Sequence, residues 1–151
     1  MTESILSDTP RIGQSFSQKE VEDLFSTDFG YQFRGITYRH PDEGKYVILL
    51  SNEGEFYDDD LSGTEFTYEG EGVPEKGDQM ETPANRALIE AEHDPIPIYL
   101  FTSVEGVDEY EYRGLVDVKD HRYVSNGDRM VYTFDMRQLG IPSWEEHPSA
   151  E

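Results

Sequence analysis

Residues 46–72 read YVILLSNEGEFYDDDLSGTEFTYEGEG, and this stretch decides how the chain can fold. Its apolar start, YVILLS, ends at NEGE and predicts a buried strand. After three aspartates, the aromatic and β-branched composition of EFTYEG predicts a second strand. Phe56 and Tyr57 precede the aspartates, and Phe66 and Tyr68 follow them. If these two aromatic runs pair as a hairpin, large rings and a carboxylate come face to face.

The flanking segments predict a strand-rich domain with short helices. Ser17, followed three residues later by Glu20, forms a capping box that opens one helix. Thr82, placed before a proline, marks the start of a second helix with the sequence ANRALIEAEH. Strands are predicted in FRGITYRH, PIYLFTSV, EYEYRGLVDV and MVYTFDMR, with a tight turn at Asn126-Gly127. We therefore expect an α+β domain, a curled, barrel-like β-sheet flanked by short helices.

The chain is strongly acidic. Its 151 residues, about the length of one domain, include 33 acidic and 12 basic residues, for a formal net charge of -21. The acidic residues are spread along the whole length, which favours solubility in a cytoplasm of molar salt. We therefore predict a haloarchaeon-like halophile as the source and a cytoplasmic location. The competing interpretation is a protein that avoids or mimics nucleic acid, but at 1 M salt the screening length is only about 3 Å, so net charge does not exclude DNA binding.

Several classes of function lack their characteristic residues. The chain has no cysteine, which excludes disulfides, a cysteine nucleophile and cysteine-ligated zinc. The four histidines are scattered without the spacing of a zinc or nuclease motif, so we expect them at the surface. No apolar run is long enough to cross a membrane, and no phosphate loop or dinucleotide fingerprint is recognisable. These features predict a non-catalytic protein without a cofactor, a metal site or a membrane partner.

The three aspartates allow three interpretations. Asp58, Asp60, Ser62 and Glu69 have the spacing of a calcium-binding loop, but such loops lie between helices, whereas strands are predicted on both sides here. A hydrated turn of a halophilic protein does not account for the four neighbouring rings. The third interpretation is a pocket for a planar ligand such as a flipped cytosine. Rings would stack on the faces of the base, and a carboxylate would accept from its exocyclic amine.

The order of these motifs resembles the SRA (SET and RING associated) domain family. That family has a strand, a small-residue turn, an aromatic residue, acidic residues and a glycine, followed by F-T-Y-x-G-x-G, D-Q and N-x-A-L. The corresponding segments here are YVILLSNEGEFYDDDLSGTEFTYEGEG, GDQ and NRAL. The resemblance covers residues 30–137, and its most specific part is residues 56–88.

The resemblance implies a PUA-like barrel that binds double-stranded DNA. Such a domain recognises modified cytosine, either 5-methylcytosine or 5-hydroxymethylcytosine, by rotating the base out of the duplex. By the same resemblance, Phe56 and Tyr68 stack on the two faces of the base, and Asp59 binds its pairing edge. Backbone groups of Glu69, Gly70 and the end of the first strand complete the pocket. Phe56 replaces the more familiar tyrosine of the family, which keeps the stacking face and removes a hydroxyl.

The resemblance also indicates what surrounds the pocket. The compact form is similar to the SRA modules of prokaryotic, McrA-like modification-dependent endonucleases, in which an HNH nuclease follows. We therefore expect an HNH nuclease domain or subunit as a partner. Loop 73–77 is shorter than the finger with which animal members read the opposite strand, which argues against recognition of hemimethylated DNA. The cations nearest the pocket in sequence, and hence the expected DNA contacts, are Arg34, Arg39, Lys76 and Arg86.

The predicted organisation is a loose leader over residues 1–15, an SRA-like domain over residues 16–140 and a tail or linker over residues 141–151. Two other functions stay open at this point, because PUA-like folds serve several purposes and a fold does not settle function. One is a domain that binds modified RNA or a free nucleobase. The other is a structural domain stabilised by calcium.

Overall fold

The computed structural model describes residues 10–25, 27, 35–39, 45–51, 65–70, 77–103, 109–125, 127 and 129–147. Within these residues the strands are β1 (Ser15–Phe16), β2 (Gly35–Arg39), β3 (Tyr46–Ser51), β4 (Glu65–Glu69), β5 (Ile98–Ser103), β6 (Tyr110–Ser125) and β7 (Met130–Gln138). The helices are α1 (Gln18–Phe25), α2 (Pro83–Glu90) and a 3-10 turn, Trp144–Glu146. None of the described helices is both long and apolar enough to cross a membrane.

The strands form one curled sheet in the order β2-β3-β5-β6-β7-β4, with β1 added beside β6. The pair β3 and β5 is parallel, and the other described pairs are antiparallel. β4 pairs with β7 and not with β3, although β4 is the next described strand in the chain. The hairpin predicted between the two aromatic runs involves Phe56, which lies outside the described residues.

Strand β3 is buried on both faces, which explains its uninterrupted apolar sequence. Tyr46, Ile48 and Leu50 pack in an outer cluster that includes the apolar face of α1. Val47 and Leu49 pack in an inner cluster that includes α2. The two helices thus cover opposite faces of the sheet, which confirms that short helices flank it.

Both predicted helix starts are confirmed. In the capping box of α1, the Ser17 N–H donates to Glu20 Oε1 over 2.8 Å, and the Glu20 N–H donates to Ser17 Oγ over 3.2 Å. At α2, Thr82 Oγ1 accepts from the Asn85 N–H over 3.1 Å. The second helix ends at Glu90 rather than at the end of ANRALIEAEH, because residues 91–93 form a turn.

The N-terminal end of the described chain is attached to the sheet. The Gly13 N–H donates to the Tyr112 carbonyl over 2.8 Å, and the Tyr112 N–H donates to the Gln14 carbonyl over 2.9 Å. These bonds lie before residue 16, where the predicted domain begins. The boundary at residue 16 stays a prediction, but contact with the sheet starts earlier.

The described part of the C-terminal tail also packs against the sheet. The Tyr112 hydroxyl donates to the Pro142 carbonyl over 2.7 Å, and burial raises the pKa of this hydroxyl, which keeps its proton in place. His147 is 5% exposed, stacks on Trp144, and places its Nε2 2.8 Å from Asp117 Oδ1. The prediction that the histidines lie at the surface is therefore wrong for His147.

Strands β6 and β7 form a hairpin that is longer than expected. β6 continues to Ser125, beyond the predicted segment EYEYRGLVDV, and pairs with β7 along this extension. The two strands flank the predicted turn, in which Gly127 has a φ of 81° and Asn126 lies outside the described residues. A register shift between Val118 and Asp120 makes Lys119 the extra residue of a β-bulge.

Candidate functional site

Tyr68 joins two strands that are not hydrogen-bonded neighbours. Its hydroxyl donates to the carbonyl oxygen of Leu50 over 2.7 Å. Because three strands, β5, β6 and β7, lie between β3 and β4 in the sheet order, this contact closes the curl of the sheet. It also brings together the two strands that flank residues 52–64, where the aspartates lie.

The ring of Tyr68 faces the inside of the curled sheet. It is 7% exposed and packs in the inner cluster with Leu49 and Phe134. Phe66 lies partly buried on the same face, while the residues that alternate with them along β4 are exposed. The stacking role predicted for Tyr68 therefore requires a base to enter the space between β3 and β4.

The side-chain amide of Gln79 replaces one hydrogen bond of the ladder between β4 and β7. The Gly70 N–H donates directly to the Tyr132 carbonyl over 2.8 Å. In place of the reciprocal bond, the Tyr132 N–H donates to Gln79 Oε1, and Gln79 Nε2 donates to the Gly70 carbonyl, each over 2.8 Å. Both backbone groups of Gly70 are therefore used within the fold.

This arrangement determines where the backbone groups of Glu69 point. Hydrogen-bonded and non-hydrogen-bonded pairs alternate along an antiparallel ladder. Since Gly70 and Tyr132 form a hydrogen-bonded pair, Glu69 and Thr133 form a non-hydrogen-bonded pair. The Glu69 N–H and carbonyl thus point away from β7, toward the edge of β4 that no described strand covers. Of the two predicted backbone sites, Gly70 is used within the fold, and the backbone groups of Glu69 do not pair with β7.

The motifs carrying the family resemblance meet at Gly70. A Cβ atom at this position would lie 2.7 Å from Asn85 Oδ1 and 3.0 Å from Tyr132 Cβ, so only glycine allows this approach. Asn85 is fully buried, and its Nδ2 donates to the Met80 carbonyl over 2.8 Å. The motifs Y-x-G, D-Q and N-x-A-L therefore join β4, β7 and α2. Our sequence reasoning assigned no role to Gln79 or Asn85, although the D-Q and N-x-A-L motifs contain them.

Four predicted site residues lie outside the described residues: Phe56, Asp59, Arg34 and Lys76. Arg39 lies half-buried on β2, where its Nε donates to Thr27 Oγ1 over 3.1 Å. Arg86 lies on the exposed side of α2 and forms an ion pair of 3.1 Å with Glu81. The two arginines belong to elements that pack against each other, α2 and β2.

Arg129, which sequence reasoning left unassigned, holds both ends of segment 71–76. Its side chain is 10% exposed and lies 3.4 Å from the Glu69 carboxylate. It also donates to the Gly77 carbonyl over 3.2 Å. Arg129 thus connects Glu69 of β4 with Gly77, the last residue of the predicted loop 73–77.

Most of the described cations are already paired. Among the ten lysines and arginines that the structure describes, six form ion pairs with carboxylates: Lys19, Arg86, Arg113, Lys119, Arg122 and Arg129. The hydrogen bond and charge of Lys119 lower the pKa of Glu65. The described surface therefore has few cations left to contact phosphates.

Comparison with known proteins finds a family match along almost the whole chain. The family model described as ScoMcrA-like, SRA domain matches residues 12–151. The matched range includes every described strand and helix. No curated protein matches the chain.

Several solved structures share the fold. The SUVH5 SRA complex with methylated CHH DNA has a TM-score of 0.69 and 22% identity, covering 91% of this chain and 97% of that chain. The SUVH5 SRA domain bound to fully hydroxymethylated CG DNA has a TM-score of 0.68 and 23% identity, with the same 91% and 97% coverage. Arabidopsis thaliana SUVH6 in complex with SAM has a TM-score of 0.67 and 23% identity, covering 91% of this chain and 28% of that chain. This likeness confirms the predicted PUA-like curled sheet.

Proposed function

This chain belongs to the ScoMcrA-like SRA domain family, and on that basis we propose that it binds double-stranded DNA and recognises a modified cytosine by base flipping. The observation that carries the proposal is the family match over residues 12–151. Two of the structures that share its fold are SUVH5 SRA domains in complex with methylated and hydroxymethylated DNA. We infer the same class of ligand for this chain.

In the proposed complex, the flipped base lies between β3 and β4. Phe56 and Tyr68 stack on its two faces, and Asp59 accepts from its exocyclic amine. The open edge of β4 supports this role, because the Glu69 N–H and carbonyl are directed to the side on which a base would sit. The Tyr68–Leu50 bond supports it as well, since that bond draws together the strands flanking Asp59.

The energies of base flipping are compatible with such a pocket. Taking a base out of the stack costs a few kcal/mol, and each aromatic stack returns about 1–3 kcal/mol. Two rings and one carboxylate contact therefore offset the cost without many phosphate contacts. Arg34, Arg39 and Lys76 are the proposed phosphate contacts, with Arg86 available if its pair with Glu81 opens.

We further propose that the domain itself performs no chemistry and directs an HNH nuclease, on the same polypeptide or a separate subunit, to modified DNA in a restriction system. A salt-rich archaeal cytoplasm is the proposed setting, because the acidic excess of -21 suits it. Both proposals rest on the sequence resemblance and the composition.

The proposal is tested by fluorescence titration, in high potassium salt, of duplexes that differ at one cytosine: plain, 5-methyl or 5-hydroxymethyl. We expect tighter binding to one modified duplex. Asp59→Ala should abolish this preference, because it removes the contact to the pairing edge. Asp58→Ala and Asp60→Ala are matched controls, since they remove the same charge from the same acidic segment and should keep the preference.

Two results would contradict the proposal. Equal binding of all three duplexes would show that no modified base is recognised. Equal loss of preference in all three aspartate variants would show that the charge of the acidic segment, rather than a contact by Asp59, determines binding.

A further inference from the structure

A separate group of donor side chains lies where the turn after α2 meets β6. Glu92, Asp120 and His121 each offer one ligand atom, and these atoms all lie within 4.8 Å of one another. His121 Nδ1 contacts Glu92 Oε2 directly. Asp120 Oδ1 accepts from the His121 N–H over 2.8 Å, which leaves its second oxygen for another partner. Glu92 and His121 are 29 residues apart, so spacing along the sequence did not reveal the group.

The carboxylate of Glu92 is nearly buried, and no lysine or arginine among the described residues pairs with it. Its side chain is 11% exposed. The two cations beside the group, Lys119 and Arg122, are paired with other carboxylates. A carboxylate removed from water needs a positive partner. A divalent cation bound among these side chains would supply two positive charges.

Asp120 and His121 are consecutive residues that directly follow the β-bulge of β6. In a regular strand, neighbouring side chains point to opposite faces of the sheet. The register shift between Val118 and Asp120 adds one residue, Lys119, directly before these two, and bulges bend a strand and increase its twist. The ligand atoms of Asp120 and His121 both lie within 4.8 Å of that of Glu92, which belongs to a different element.

We propose that Glu92, Asp120 and His121 bind one divalent transition-metal ion, with Zn²⁺ preferred. An imidazole nitrogen and two carboxylate oxygens are ligands that Zn²⁺ accepts, whereas Mg²⁺ and Ca²⁺ favour oxygen ligands alone. Ligand atoms about 2.1 Å from one ion are at most about 4.2 Å apart, so a small movement of the exposed Asp120 side chain closes the site. Water completes the coordination. The ion joins the turn after α2 to the β6–β7 hairpin, and this proposal departs from the sequence prediction of no metal site.

The competing interpretation is a simple ion pair between His121 and Glu92, which needs neither Asp120 nor an ion. Zinc titration of the chelator-treated chain, in competition with a chromophoric chelator at constant potassium chloride, separates the two. We expect one equivalent of Zn²⁺ to bind and to raise the midpoint of thermal unfolding. Mn²⁺ should bind more weakly, following the usual order of affinities, and Mg²⁺ should not compete.

Substitution of each proposed ligand tests whether that side chain binds the ion. Glu92→Gln, Asp120→Asn and His121→Gln should each weaken zinc binding at least tenfold. His93→Gln and Asp94→Asn change neighbouring exposed side chains and should leave it unchanged. Asp120→Asn is the decisive variant, because Asp120 is exposed and the chain should keep its fold, as circular dichroism can verify. Absence of stoichiometric binding, binding unaffected by Asp120→Asn, or loss of binding in His93→Gln would overturn the proposal.

Discussion

At the scale of single residues, two buried glutamines serve this fold in different ways. Gln79 is 2% exposed, and its amide both accepts from Tyr132 and donates to Gly70. Gln138 is 5% exposed, but its Nε2 has no hydrogen-bond partner within the part of the chain that the structure describes. A buried polar group lowers stability unless it is paired. The two amides should therefore contribute to stability with opposite sign.

The same substitution at both positions tests this difference. Gln79→Leu leaves the Gly70 carbonyl and the Tyr132 N–H unpaired, and we expect the free energy of unfolding to fall by about 1–3 kcal/mol. Gln138→Leu removes an unpaired group, and we expect the free energy of unfolding to rise by less than about 1 kcal/mol. Chemical denaturation of both variants at one salt concentration measures the difference. Equal destabilisation would show that the inserted amide is not what holds β4 to β7.

At the scale of elements, β4 is held on its two sides by different kinds of contact. On one side, β4 forms a backbone hydrogen-bond ladder with β7. Toward β3, the Tyr68 hydroxyl donates a hydrogen bond to the Leu50 carbonyl. An edge strand with open backbone groups can accept an external partner. In the proposed complex this partner is the pairing edge of the flipped base. Under the proposed function, closure of the sheet and recognition of the base therefore both depend on Tyr68.

Tyr68→Phe separates these two roles, because it removes the hydroxyl and keeps the ring. We expect the free energy of unfolding to fall by about 0.5–1.5 kcal/mol. The preference for modified DNA should persist, whereas Tyr68→Leu, which removes the ring, should lose it. Thermal unfolding and duplex titration of both variants provide the measurements.

Tyr123→Phe is the matched control for this experiment. It removes a comparable hydroxyl bond, 2.9 Å to the Gln79 carbonyl, away from the closure between β3 and β4. It should cost less stability, because Tyr123 is 43% exposed and Tyr68 is 7% exposed, and it should leave DNA binding unchanged. If Tyr68→Phe instead lost the preference as completely as Tyr68→Leu, the hydroxyl rather than the ring would be the recognition element.

At the scale of the whole molecule, the charge distribution limits how the domain can bind DNA. The chain carries a net charge of -21, and most of its described cations are paired with carboxylates. Where affinity for DNA comes from phosphate contacts, its logarithm falls linearly with the logarithm of the salt concentration, and the slope is proportional to the number of phosphates neutralised. A domain that relies on base stacking instead loses little affinity in concentrated salt. The acidic surface and the proposed base pocket are therefore compatible.

This argument predicts a shallow salt dependence. With at most four phosphate contacts, from Arg34, Arg39, Lys76 and Arg86, the slope of log affinity against log salt should be no steeper than about -3.6. Titrations of one modified duplex over a range of potassium chloride concentrations measure it. Arg34→Gln and Lys76→Gln should each reduce the slope by about 0.9. A slope steeper than about -5 would require more phosphate contacts than these cations can make.

Local features of the fold were predictable from the sequence alone. The caps at Ser17 and Thr82, the buried strand YVILLS and the turn at Gly127 depend on residues that are close together in the chain. Propensity, capping and apolar periodicity act over such short distances. The order of the motifs was likewise readable, and it pointed to the family that the comparison with known proteins then showed.

Only the tertiary structure decided which distant residues meet. The pairing of β4 with β7, the bond from Tyr68 to Leu50 and the inserted amide of Gln79 all depend on the path of the chain through the sheet. The burial of His147 and the approach of Glu92 to His121 depend on it as well. Local sequence patterns leave that path open, because the free energy of a long-range contact is gained only after the intervening chain has closed into a loop.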